Sequence, residues 1–291
     1  MQTIKWLTFG LSNAVTQTCV HFFPAADSVT APYPAFCSLS LFGQNLPTQK
    51  TVTLEGGRLG NPDGIRVKDA FPALAAESVG VFGLEVEISC AQPRIDVSGS
   101  GCVIEFISQG FVTRFWPKQR AVTQDSNRSI KVRSSQSVDI ISKRAASPRV
   151  GVCLSDPYNS SCLVVVNSSE RPVAAWLDLS SGCVIGNMSQ KDGSRVPEAA
   201  RLEIPARAVV EFPIADAVYE GGTRQECSWG LLKARVLQVG FDVTELKGRT
   251  SDEASPGGVA GVETAMLDDA LAAFLVYRDL DSGRIVSVVA L

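Results

Sequence analysis

The stretch AAFLVYRDLDSGRIVSVVAL, from Ala272 to Leu291, contains two apolar runs separated by an acidic Ser-Gly segment. Two apolar runs joined by a short turn-forming segment are typical of a pair of antiparallel strands. In the second run, from Ile285 to Ala290, apolar residues occupy both sets of alternating positions. We therefore expect a strand that is covered on both of its faces inside a β-sandwich.

The same alternation of apolar and polar residues recurs along the chain, in KTVTLEG (50–56), FGLEVEIS (82–89) and AAWLDLSSG (174–182). Glycine and proline residues fall between these runs. Many short strands separated by turn residues are typical of antiparallel sandwiches, whereas βαβ units need long helical crossovers. We therefore expect an all-β fold of two tandem antiparallel β-sandwich domains, with minor helix at Phe71–Val79 and Val262–Phe274.

Two parts of the chain repeat one order of features, which predicts an internal duplication. Each part contains Phe-Pro, then Gly-Leu before an apolar strand, then a Ser-Gly turn. The matched positions are Phe71-Pro72 with Phe212-Pro213, Gly83-Leu84 with Gly230-Leu231, and Ser100-Gly101 with Ser282-Gly283. We expect a first sandwich at 1–116, a basic hairpin or linker at 117–150, and a second sandwich at 151–291 with a long loop insertion near 240–269.

The second half of the chain carries a pattern of three parts. Val166-Asn167 ends an apolar run, Val173 to Leu179 alternates, and Leu202 to Arg207 has the sequence LEIPAR before another strand. This pattern resembles bacterial β-sandwich modules of the sensory-rhodopsin-transducer type, over less than half of the chain. The resemblance implies a binding or assembly module without catalysis, often oligomeric, and it assigns no site residue.

The segment from Pro117 to Val150 is the main charge asymmetry, with eight basic and two acidic residues in a chain of net charge −3. One hypothesis makes this segment the contact for an anionic partner. Binding of single-stranded nucleic acid normally uses several stacked aromatic residues, and here Trp116 alone adjoins the segment. We therefore favour a solvated hairpin that complements acidic surfaces of the protein, and we do not expect a nucleic-acid partner.

Apolar runs such as CLVVV (162–166) are far shorter than the roughly 20 residues of a membrane helix, so no membrane span is expected. The first residues contain no continuous apolar core of a secretory leader, which favours a cytoplasmic location unless a leader is missing from the sequence. The eight cysteines include no C-x-x-C spacing that would predict a zinc ribbon. Cys102 and Cys162 lie in apolar runs and are interpreted as core residues.

The chain offers few groups for catalysis. Its single histidine, His21, lies in the run CVHFFP two residues after Cys19. Alternate residues of a strand share a face, so a Cys19–His21 pair is geometrically possible, but we interpret His21 as part-buried and structural. The segment GGRLGNPDG (56–64) lacks the acidic ladder of a calcium loop and is interpreted as a hairpin turn. We expect no catalytic residue, no cofactor and no metal site.

These observations predict a non-catalytic protein that acts by binding a protein partner or by self-association. A carbohydrate-binding protein is the first alternative, because the flat face of an exposed tryptophan matches a sugar ring. A hydrolase with two catalytic carboxylates is the second, since thirty acidic residues leave many pairs open. The candidate contact residues are Trp116, Lys118, Arg120, Lys131, Arg133 and Trp229.

Overall fold

The computed structural model describes residues 2–23, 35–44, 46, 50–55, 63–72, 74, 80–90, 101–117, 119–124, 149–155, 159–181, 200–214, 233–242 and 270–291. Most of these residues lie in strands, and every described strand pair is antiparallel, which confirms the all-β class. In this part of the chain we find no helix whose length and hydropathy would let it span a bilayer.

The first half of the chain forms two sheets. Its elements are β1 (Gln2–Ser12), β2 (Thr16–Phe23), β3 (Ala35–Phe42), β4 (Lys50–Glu55), β5 (Ile65–Arg66), α1 (Val67–Ala70), β6 (Gly80–Cys90), β7 (Gly101–Ser108), β8 (Phe111–Phe115) and β9 (Gln119–Gln124). Sheet A has the order β4-β3-β6-β1-β9, and sheet B has the order β5-β2-β7-β8. The predicted helix at Phe71–Val79 lies mostly outside the described residues.

The second half forms two further sheets. Its strands are β10 (Arg149–Ser155), β11 (Asn159–Asn167), β12 (Val173–Ser181), β13 (Ala200–Ile204), β14 (Ala208–Pro213), β15 (Lys233–Asp242), β16 (Leu271–Asp279) and β17 (Ile285–Ala290). Sheet C has the order β10-β15-β12-β13, and sheet D has the order β14-β11-β16-β17. The predicted helix at Val262–Phe274 gives way to strand at Leu271, and its first eight residues lie outside the described ranges.

The two halves have the same strand order. Each strand from β1 to β8 corresponds, in chain order, to one strand from β10 to β17. With this correspondence, sheet A without its edge strand β9 has the strand order of sheet C, and sheet B has the strand order of sheet D. The third pair of positions matched in the sequence is not equivalent in this order, because Ser100-Gly101 leads into β7 whereas Ser282-Gly283 follows β16, the counterpart of β7. The counterpart of the Ser282-Gly283 turn is Gln109-Gly110, between β7 and β8.

Strands also occupy both ends of the predicted basic linker at 117–150. Strand β9 pairs with β1 and so extends sheet A by a fifth strand. Strand β10 begins at Arg149 and is the first strand of sheet C. The predicted hairpin between them, at 125–148, lies outside the described residues, as does the predicted insertion from 243 to 269.

The two central strands of sheet D, β11 and β16, are buried on both of their faces, because they belong to two apolar cores. The first core joins sheets A and B to one face of sheet D, and the second joins the opposite face of sheet D to sheet C. Strand β16 shows why its sequence is apolar at every position from Leu271 to Val276, since alternate side chains enter different cores. The two sets are Ala272, Phe274 and Val276 in the first core, and Leu271, Ala273 and Leu275 in the second.

Three sheets meet at a group of four phenylalanine rings. The ring centroid of Phe9 in sheet A lies 5.3 Å from Phe106 and 5.8 Å from Phe115 in sheet B. It also lies 5.1 Å from Phe274 in sheet D. Packing of aromatic rings at these separations adds stabilisation to their area burial, so this group joins the two halves of the chain.

The prediction for residues 285–290 is half right. They form strand β17, paired with β16, as expected. The prediction that both faces of this strand are covered is wrong, since Val286 is 39% exposed and Val289 44%. The reason is topological: β17 is the outermost strand of sheet D, and the strand that is covered on both faces is β16.

Asn167, in the pattern that carries the family resemblance, has a structural role. It is fully buried at the end of β11, and its amide nitrogen donates to the carbonyls of Arg171 at 2.8 Å and Pro205 at 2.9 Å. Its amide oxygen accepts from the backbone N–H of Ser169 at 3.0 Å. Asn167 therefore ties the end of β11 to the turn that leads from β13 to β14.

Arg207, at the end of the same pattern, connects the two halves. Its backbone has a φ of 51°, and its guanidinium donates to the carbonyl of Ser168 at 2.7 Å. The same group reaches the first half, where it lies 3.3 Å from a carboxylate oxygen of Glu85 and 4.7 Å from the ring centre of Phe42. The pattern therefore contributes contacts between the halves.

Candidate functional site

The outward-facing side of sheet B carries a mixed polar and aromatic surface, here called the outer face of sheet B. Alternate residues of β2 point to opposite sides, and Val20 and Phe22 enter the first core. Cys19, His21 and Phe23 therefore point away from sheet A. With their cross-strand neighbours, the side chains of this face are Cys19, His21, Phe23, Val103, Glu105, Arg114 and Trp116.

A polar cluster, formed by Cys19, His21, Glu105 and Arg114, lies in the middle of this face. In the strand register, Glu105 is directly opposite both Cys19 on β2 and Arg114 on β8. Arg114 Nε donates to Glu105 Oε1 at 2.6 Å, and His21 Nε2 lies 3.0 Å from Glu105 Oε2. Both carboxylate oxygens of this buried residue are therefore engaged.

The turn before β5 closes over one side of the polar cluster. The thiol of Cys19 donates to the carbonyl oxygen of Asp63 at 3.4 Å. Gly64 has a φ of 68°, and a Cβ at this position would lie 2.7 Å from Cys19 Sγ and 2.8 Å from His21 Nδ1. Both the backbone conformation and the close approach therefore require glycine at this position.

The two acidic groups of the polar cluster, the Glu105 carboxyl and the Cys19 thiol, have pKa values that are shifted in opposite directions. Burial alone would raise the pKa of Glu105, but hydrogen bonds from His21 and Arg114 outweigh it, and the pKa is lowered. Burial, with the negative charge of Glu105, raises the pKa of the Cys19 thiol to about 12. Glu105 is therefore ionised and Cys19 is protonated at neutral pH.

An aromatic pair lies beside the polar cluster. Phe23 and Trp116 have ring centroids 5.5 Å apart, and they are 49% and 64% exposed. Gly101 lies between the two rings, since a Cβ there would be 3.3 Å from the Trp116 ring and 3.7 Å from Phe23 Cβ. The missing side chain at Gly101 lets the two rings meet across strand β7.

Of the candidate contact residues predicted from the sequence, the structure places one at this face. Trp116 is strongly exposed there. Arg120 lies in strand β9, and its side chain is outside the described part of the structure. The remaining predicted residues lie outside the described ranges, and they are Lys118, Lys131, Arg133 and Trp229.

Other residues of the face were not among the predicted contacts. Cys19 and His21 were recognised as a possible pair, but their partner Glu105 and the aromatic Phe23 were not. A signal for Glu105 exists, since it is the single charged residue of the strand GCVIEFIS (101–108). A charged residue in an otherwise apolar strand needs a partner if it is buried, and the strand register that supplies Arg114 cannot be read from one sequence.

The polar cluster holds the donor types of a metal site. One ligand atom each from Cys19, His21 and Glu105 lie within 4.8 Å of one another. Among the cysteines whose side chains the structure describes, the other free ones are Cys37, Cys102 and Cys162, and all three are buried. Burial raises the pKa of each of these thiols, so none of them is an activated nucleophile.

No family model matches this chain, and no curated protein matches its sequence. The resemblance to the sensory-rhodopsin-transducer type therefore stays a prediction.

Proposed function

We propose that this protein is a non-catalytic binding protein of two β-sandwich domains, and that the outer face of sheet B is its binding surface. The occupant we propose is another β-sandwich, supplied by a second copy of this chain. The observation that carries the proposal is the exposed pair of Phe23 and Trp116 on this face. Exposed aromatic residues that lie together are enriched in interfaces.

The choice of occupant rests on the counterpart face in the second half. The outer face of sheet D already packs against a β-sandwich, namely the first half of the same chain. Its residues are Cys162, Val164, Val166, Ala272, Phe274 and Val276. Sheets B and D share one strand order, and on the outer face of sheet B the exposed pair of Phe23 and Trp116 supplies the apolar contact for such a partner. The common order also supports an internal duplication as part of this proposal.

The absence of catalysis in this proposal is supported by the state of the polar cluster. Glu105 is held at its two oxygens by His21 and Arg114, and its lowered pKa makes it a weak acceptor for a substrate proton. A reactive cysteine needs a lowered pKa, and the pKa of Cys19 is raised to about 12. These groups are arranged to hold one another.

Self-association is tested by sedimentation velocity over a range of protein concentrations. We expect the mass-average sedimentation coefficient to rise with concentration, and Trp116→Ala and Phe23→Ala to abolish the rise. Phe111→Ala is the matched control, because Phe111 is a 40% exposed aromatic residue on the same edge strand but alternates with Arg114 and Trp116. A monomer at every concentration, or association that survives Trp116→Ala, would refute this proposal.

Carbohydrate binding is a second candidate, favoured by one specific observation. Trp116, the residue that follows β8, presents an exposed ring two residues from Arg114, whose side chain is 67% exposed. A ring for stacking and a neighbouring hydrogen-bond donor are the two elements of sugar recognition. A glycan array measures this directly: we expect Trp116→Ala to lose any hit and Phe111→Ala to keep it, and an array without hits removes this candidate.

A further inference from the structure

The geometry points to a binding site for one zinc ion in the polar cluster, with Cys19, His21 and Glu105 as its ligands. These residues supply a sulfur, a nitrogen and an oxygen donor, and such a mixed set suits zinc among the common divalent cations. The site is independent of the proposed self-association. The zinc site lies on the outer face of sheet B, as the aromatic pair does, and His21 is two residues before Phe23 on β2.

The distances between the donors are close to those of a zinc site. Ligands bonded to zinc at about 2.0–2.3 Å in a tetrahedron lie roughly 3.3–3.8 Å from each other. His21 Nε2 and Glu105 Oε2 are 3.0 Å apart, and the ligand atoms of the three residues lie within 4.8 Å of one another. A shift of about 1 Å, within the reach of a side-chain rotation, brings all three donors to bonding distance.

The surroundings of the three donors also fit a metal centre. Arg114 holds Glu105 Oε1 at 2.6 Å, as an outer hydrogen bond orients a ligating carboxylate, and the ion would take the place of the His21 contact at Oε2. The carbonyl of Asp63 lies 3.4 Å from Cys19 Sγ. The positive φ of Gly64 and its missing Cβ let the turn pack closely against Cys19 Sγ and His21 Nδ1 without a clash.

Zinc binding exchanges one Zn²⁺ ion for one proton, so the net charge of the site rises by one. The ion displaces the proton of the Cys19 thiol, which leaves to solvent, because a coordinating thiol is deprotonated by the metal. In the metal-free protein His21 Nε2 donates its hydrogen to Glu105 Oε2. On binding, this proton passes through solvent to Nδ1, so that His21 stays a neutral imidazole and Nε2 and Oε2 each bond the ion. His21 keeps 15% of its side chain exposed, so solvent can enter and can fill the fourth coordination position.

The test uses the full chain, freed of metal and titrated with Zn²⁺ alone. Because His21 is the single histidine of the protein, the ring-nitrogen NMR signals of ¹⁵N-histidine-labelled protein report this site alone. We expect both signals to shift and saturate at one equivalent. Ring signals that stay unchanged in excess Zn²⁺ would overturn the proposal, including the case in which zinc binds at other cysteines.

Variants then identify the remaining ligands, with Co²⁺ alone as a spectroscopic probe. We expect a thiolate-to-cobalt charge-transfer band that Cys19→Ser removes and that Cys102→Ser, the matched control at a buried cysteine, keeps. Arg114→Gln changes an exposed side chain that orients Glu105, and we expect it to weaken Zn²⁺ binding about tenfold. A band of unchanged intensity in Cys19→Ser overturns the assignment. The wild-type NMR titration stands if Cys19→Ser fails to fold.

Discussion

The outer faces of sheets B and D occupy the same place in one topology, yet they have opposite chemistry. The outer face of sheet D is apolar and enters the core shared with the first half of the chain. The outer face of sheet B carries the polar cluster and an exposed aromatic pair. One sheet order therefore serves a buried apolar contact in one half and a partly exposed polar and aromatic face in the other.

The difference shows that strand order does not determine what a sheet face does. In both sheets the inward residues of the counterpart strands include an apolar pair, Val20 and Phe22 on β2 and Leu163 and Val165 on β11, because each sheet covers the other sheet of its own half. The outward residues are free to differ, and on β2 they include Cys19 and His21 whereas on β11 they include Val164 and Val166. A few outward side chains therefore separate the roles of the two faces.

The largest effect on the free energy of unfolding is expected from truncation of a side chain on the apolar outer face of sheet D. Phe274 is 2% exposed and touches the rings of Phe9 and Phe115. Phe274→Ala removes these contacts and leaves a cavity, so we expect the free energy of unfolding to fall by about 3–5 kcal/mol. Urea denaturation followed by fluorescence measures the change.

The matched control for this prediction lies on the outer face of sheet B. Trp116→Ala removes a larger aromatic side chain, but Trp116 is 64% exposed. We expect it to change the free energy of unfolding of the dilute protein by less than about 1 kcal/mol, in the range of exposed substitutions. Equal losses in the two variants would contradict the contrast between the faces.

Much of the fold is predictable from alternation alone, since it depends on local sequence. The strand FGLEVEIS places Leu84, Val86 and Ile88 on one buried face, as its alternation predicts. Strand β16 is different, because its unbroken apolar run is compatible with several structures, and only the position of sheet D between two cores explains it. Coverage of a strand depends on its neighbours in the sheet, which a single strand sequence does not contain.

The candidate site was predictable only in part for a related reason. The spacing of Cys19 and His21 places both on one face of a strand, and the exposed position of Trp116 agrees with its prediction as a contact residue. Glu105 joins them across 84 residues of sequence. Such a contact depends on strand pairing, and no local pattern encodes the partner strand or its register.

An intermediate effect is expected at the ends of the counterpart strands β2 and β11. β2 ends at the exposed Phe23, whereas β11 ends at the buried Asn167, whose amide holds two carbonyls. Asn167→Ala removes a fully buried amide and leaves two part-buried acceptors without this donor, so we expect a loss of about 1–3 kcal/mol in the free energy of unfolding. Phe23→Ala, measured by the same urea denaturation, is the control and should cost less. A neutral Asn167→Ala would show that this connection is dispensable.

The smallest effect is expected in the hairpin turns that follow β7 and β16. Both turns contain a glycine of positive φ, Gly110 and Gly283, but the second is also held by Asp279. Hydrogen bonds from the hydroxyl and the backbone N–H of Ser282, at 2.6 and 2.7 Å, lower the pKa of the Asp279 carboxyl. Asp279→Asn keeps an acceptor at this position and removes the charge.

A lowered pKa in the folded protein means that the charge of Asp279 stabilises the fold at pH values above the ordinary aspartate pKa of about 3.9, and that this contribution disappears as the pH falls through the folded-state pKa. We therefore expect Asp279→Asn to lower the urea midpoint slightly at neutral pH and to match the wild type in strong acid. Asp281→Asn neutralises a charge in the same turn and is the matched control. A urea midpoint difference that persists unchanged in acid would show that Asp279 acts through its shape and not its charge. The turns after β7 and β16 would then not differ by an electrostatic contribution from Asp279.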